Sequence, residues 1–138
     1  MAEIAITIYS NPIFIPPLLS FLDSFLKTED IEKEERKKIA IATEEAVTNI
    51  IKHSYENKKD KIIIVEIKFN KDLLSITLKH KGKSFSLDNN NIKVNINKIL
   101  KEKKKGGFGL FIIKNFVDEL EIGEKEGWKF YLLKKKLK

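Results

Sequence analysis

The chain has no cysteine, which excludes disulfides and thiolate metal sites. Two histidines leave few arrangements for a zinc ion. No apolar run reaches the roughly 18 residues that a membrane-spanning helix needs. The start, Met1-Ala2-Glu3-Ile4, lacks the basic opening of a signal peptide, so a cytoplasmic protein with no membrane partner is expected. Arginine is nearly absent. Arg36 stands alone among 27 basic residues, and the rest are lysines. Specific base readout leans on the guanidinium fork, which lysine cannot supply, so the net charge of +7 does not by itself indicate a nucleic-acid partner.

What is present fits one domain over residues 1–138, since a chain this long buries roughly 70% of its unfolded surface. Residues 3–9 alternate as a strand. Pro16-Pro17 precedes an amphipathic stretch, Leu18 to Leu26, with proline placed for a helical first turn. A long helix is expected from about 31 to 55, with Ile39, Ala42, Ala46, Val47 and Ile50 as its apolar stripe. Residues 61–69 and 73–79 read as a hairpin, as do 119–123 and 127–133. Ile92, Val94, Ile96, Ile99 and Leu100 suggest a short, weakly patterned helix. The pattern predicts an α+β two-layer sandwich: a mixed, mostly antiparallel sheet covered on one face by helices.

Two segments carry the chemistry. In Glu45-Ala46-Val47-Thr48-Asn49 a carboxylate and a carboxamide lie four residues apart, on one face of a helix. A carboxylate desolvated beside a core gains affinity for protons, which suits Glu45 to general-base work. Asparagine is a poor mid-helix residue, and the neutral carbonyl oxygen of Asn49 suits Mg²⁺. His53 continues the four-residue spacing at the rim of the stripe. The second segment is Gly106-Gly107-Phe108-Gly109, which opens into the apolar run from Leu110. Amides at a helix start, with Lys103, Lys104 and Lys105 nearby, would hold a polyphosphate. Between the two segments, Gly82 in His80-Lys81-Gly82 marks a turn after a strand that would let a ligand ring approach the backbone, which makes Gly82 a candidate nucleotide-binding residue.

Taken together, these residues resemble the GHKL superfamily of ATP-binding domains, and among them the small bacterial serine kinases that act as anti-sigma factors. Thr43 to Tyr55 looks like the family's N box, and Gly106 to Ile113 like its second glycine box. The resemblance implies that Glu45 activates the attacking hydroxyl and that Asn49 is the magnesium ligand. It implies that His53, Lys105, Gly106, Gly107, Phe108, Gly109 and Leu110 surround ATP, with residues 86–105 as a lid. It also implies a sigma factor or similar regulator and an antagonist protein as partners, and a homodimer. The first glycine box departs from the family pattern, because His80 stands where an Asp bonds the adenine amino group. A neutral imidazole nitrogen can accept that bond, without the charge-assisted part worth about 1–2 kcal/mol. The implied function is an ATP- and Mg²⁺-dependent serine protein kinase that sequesters a regulator. The alternative left open by His80 is an adaptor of the same fold that acts by protein binding alone.

Overall fold

The alternating segments do form a sheet, and the amphipathic ones pack on one side of it. The computed structural model describes residues 2–84, 92–93 and 107–137. Strand β1 (Ala2–Tyr9) is followed by a 3-10 turn at Pro12–Phe14. Asn11 starts that turn, its side-chain oxygen accepting the Ile13 amide at 3.1 Å. Helix α1 (Ile15–Thr28) carries its prolines in the first turn, where the missing amide costs no hydrogen bond. Helix α2 (Lys33–Asn49) runs directly into a π-helical turn, Ile50–Ser54. Strands β2 (Ile62–Asn70) and β3 (Leu73–His80) follow, then a two-residue strand β4 (Ile92–Lys93). Helix α3 (Gly107–Phe116) leads into β5 (Glu119–Lys125) and β6 (Trp128–Lys136).

The sheet order is β1-β2-β3-β6-β5-β4, and every pairing among the described residues is antiparallel. The α+β two-layer arrangement is the one expected, with a more uniform sheet than the mixed one anticipated. The period of two decides the layers. Ile63, Val65, Ile67 and Phe69 of β2 face the helices, as do Leu74, Ile76 and Leu78 of β3. Leu18, Leu22 and Leu26 of α1 meet them, together with Ile39, Ala42, Ala46 and Val47 of α2. The opposite sheet face carries surface pairs such as Lys79–Glu66 at 3.1 Å.

Three expectations need correction. Ile92–Lys93 pairs with Ile122 and Glu121 as an edge strand, where a helix was expected. The spacing Ile92, Val94, Ile96 is in fact period two and β-branched, a strand signature; residues 94–100 lie outside the described set. The long helix stops being α-helical at Asn49, about six residues early. The final hairpin turns at Glu126-Gly127, both at positive φ (54° and 83°), instead of around Glu124-Lys125-Glu126. That two-residue turn matches strand twist, and glycine takes one of its left-handed positions without strain.

The single arginine has a structural post. Arg36 of α2 donates from Nε to Asp23 of α1 at 2.8 Å and from a terminal nitrogen to the Ile31 carbonyl at 2.8 Å. The Arg36 guanidinium beside Asp23 holds that carboxyl below its usual range.

Candidate active site

Helix α2 presents Glu45 and Asn49 toward the start of α3. A methyl group placed on Gly109 would lie 3.2 Å from Asn49 Oδ1, 3.3 Å from its Nδ2 and 3.3 Å from Glu45 Oε2. The glycine backbone therefore sits directly on the acid–amide pair, and a side chain there would crowd both. This contact explains why α3 includes Gly109 although glycine weakens helices. Close approach to α2 outweighs propensity.

Within that contact the two partners differ. Glu45 is half-buried, while Asn49 is 5% exposed. Asn49 Nδ2 has no hydrogen-bond partner among the described residues. A buried polar atom left unpaired costs about 1–3 kcal/mol, so the position favours a polar ligand. Rotating the carboxamide exchanges Nδ2 and Oδ1, which would offer a carbonyl oxygen at the same place. Such an oxygen fits Mg²⁺ shared with phosphates and water. That mode needs no carboxylate cage, and none is present among the described residues.

The other sequence candidates separate. His53 is exposed and lies in the π turn, whose i→i+5 bonding is seen in Tyr55 N–H donating to Ile50 O at 2.9 Å. Leu110 is wholly buried, so its side chain anchors α3 in the core and does not face a ligand. Lys105 and Gly106 lie outside the described residues, as do Lys103, Lys104 and the 86–91 and 94–105 parts of the expected lid. Gly107 and Phe108 are placed only as the first two residues of α3.

His80 ends β3 in a buried aromatic corner, 2% exposed. The Tyr55 ring stands edge-on to it at 5.8 Å, and the Tyr131 ring is tilted at 6.3 Å. Burial, aided by the nearby Lys129 charge, pushes the His80 imidazole down to about 4. The ring is therefore neutral at neutral pH. Its Nδ1, however, accepts the Gly82 amide at 3.2 Å, so the acceptor expected for an adenine amino group is engaged within the chain. A neutral ring has one acceptor nitrogen, and the other carries the proton as a donor.

Gly82 is held as tightly. A methyl group on it would fall 2.3 Å from the Ser54 carbonyl oxygen and 2.8 Å from Tyr55 Cδ1. Lys83 N–H donates to Ser54 O at 2.8 Å, and Lys129 Nζ donates to Gly82 O. Sequence reasoning missed Tyr55, Lys129 and Tyr131 as companions of His80. No local motif marks them, because the β3–β6 register brings Lys129 opposite His80. The Tyr131 hydroxyl has no partner among the described residues, and burial pushes its ionisation up.

With this geometry in place, the likenesses to known proteins can be stated. The histidine kinase-like ATPase domain family matches residues 9–131. The serine-protein kinase RsbW of Staphylococcus aureus is 34% identical over 91 residues, which cover 63% of this chain and 57% of that protein. The anti-sigma F factor of Clostridium perfringens is 31% identical over 118 residues, 84% of this chain and 83% of that protein. A crystal structure of the RsbU and RsbW domains of a Mycobacterium tuberculosis protein shares the fold, with a TM-score of 0.71 over 99% of this chain and 32% of that one, at 16% identity. The chain thus spans little more than half the length of the RsbW relative.

Proposed function

The chain belongs to the histidine kinase-like ATPase domain family, and on that premise we propose that it is an ATP-dependent serine protein kinase of the anti-sigma type. It phosphorylates a serine on a small antagonist protein and sequesters a sigma factor or similar regulator, as a cytoplasmic homodimer. One observation carries the reading: the Gly109 backbone lies against Glu45 and Asn49, so a base, an amide and a glycine-rich helix start share one place.

The division of labour follows from the side chains. Glu45, half-buried, takes the proton from the serine hydroxyl as that oxygen attacks the terminal phosphorus of ATP and the bond from that phosphorus to the bridging oxygen breaks, releasing ADP. Asn49 holds Mg²⁺ together with phosphate oxygens. The ion, when bound, neutralises charge on the transferring group. Amides at the start of α3 and from Gly106, with Lys105, steady the phosphates. His53 and Phe108 border the nucleotide.

Glu45→Ala is expected to lower phosphate transfer from labelled ATP to the purified antagonist by about 10²–10⁴-fold, the usual range for losing a general base. Unchanged transfer would remove Glu45 from the role. Asn49→Ala should weaken Mg-ATP binding in calorimetry.

A second reading has its own observation. His80 Nδ1 is already bonded to Gly82, and the other ring nitrogen is a donor, which opposes an amino donor of adenine. The protein would then be an adaptor that holds its regulator without nucleotide. Calorimetric silence at millimolar Mg-ATP, with regulator binding intact, selects this reading.

A further inference from the structure

The ends of three strands and the turn carrying Gly82 enclose an open groove of about 800 Å³. Its walls come from the residues after the π turn, the start of β2, the end of β3 and the start of β6. Five lysines line it against two carboxylates, Glu56 and Asp60. Trp128, the chain's single tryptophan, forms one wall, with Lys81 Nζ 4.6 Å from its ring centroid.

We infer that this groove binds an acidic peptide segment of a protein partner. The volume suits a short stretch of chain, within the roughly 300–1,000 Å³ of ordinary ligand clefts. The floor selects the kind of anion. The amides of residues 81, 82 and 83 run along it, and all three are engaged: Lys81 N–H with the Tyr55 hydroxyl at 2.8 Å, Gly82 N–H with His80, and Lys83 N–H with Ser54 O at 2.8 Å. Among the described residues, these three amides leave no converging free set to cradle a phosphate. Lys83 is paired with Glu56 at 3.0 Å and Lys129 with the Gly82 carbonyl, so the net positive charge of the rim, carried by Lys58, Lys61 and Lys81, matches carboxylates spaced along a peptide. Trp128, half-buried and already pairing with one cation, offers an apolar wall for the peptide's carbon atoms. Glu56 and Asp60 disfavour a continuous phosphate backbone, and no arginine lies in the groove to read a base.

Trp128 is its own reporter. The full chain is titrated with an eight-residue peptide alternating glutamate and serine, and tryptophan emission is followed. A saturable change is expected, weakened about tenfold by Lys61→Glu with Lys83→Glu, a pair that leaves Lys81 and Trp128 in place. Should the reversed variant misfold by circular dichroism, Lys61→Gln with Lys83→Gln replaces it, with a smaller loss in the same direction. Glu45→Ala is expected to bind the peptide like the parent, because the groove does not depend on the kinase reading. The inference is overturned by no saturable response, by equal affinity in the lysine variants, by loss of binding in Glu45→Ala, or by an eight-nucleotide thymidine strand binding as tightly as the peptide.

Discussion

His80 shows how burial sets the chemistry of a single side chain. Its folded-state pKa of about 4 lies below the 6.5 of a free imidazole. Between those values the unfolded chain holds a proton that the native ring refuses. The stabilisation is complete above about pH 6.5 and is lost as pH falls toward 4, amounting to about 3 kcal/mol at most. Urea unfolding at pH 7.5 and 4.5 measures it. His80→Phe should follow a visibly shallower pH dependence, and an unchanged slope would place the titration elsewhere. The Glu45–Asn49 pair was legible in the sequence because four-residue spacing survives any helix. The spent acceptor on His80 was not, since it depends on a glycine two residues on whose amide turns back to the ring. Tyr131 was also hidden, as only the strand register brings its ring beside His80.

At the scale of elements, propensity and pattern located nearly every segment and failed where tertiary contact overruled them. The apolar stripe of α2 continues through Ile50 and Ile51, so periodicity carried the helix onward. The break comes from backbone bonding, with Asn57 N–H reaching Ile51 O at 2.8 Å, and leaves no mark in composition. Glycine content argued against α3 beginning where it does, yet Gly109 is admitted because α2 occupies the space of its missing side chain. The π turn is held from outside by Gly82, since the Ser54 carbonyl rests where a Cβ would stand. Gly82→Ala must displace that backbone and is expected to cost about 1–3 kcal/mol, more than most surface changes. Chemical denaturation tests this, and hydrogen exchange should show the amides of Tyr55 and Lys83 losing protection together. A cost within about 0.5 kcal/mol would mean that the turn stands without the glycine.

At the scale of the whole molecule, the two-layer plan puts both helices of the candidate site on one sheet face and leaves the lysine-lined groove at the strand ends. The family match over residues 9–131 covers both regions. Helix α1 meets α2 through leucines and through the lone Arg36, whose side chain is only 16% exposed. A dicarbonyl reagent that attacks guanidinium groups therefore has one target in the protein, folded away between two helices. Modification should be slow in the native state, become faster when Asp23→Ala removes one of the guanidinium's two acceptors, and reach the unfolded rate in denaturant. Equal rates in all three would mean that the helix pair does not shield it. Mass spectrometry of a single adduct thus becomes a stopwatch for the parting of the first two helices.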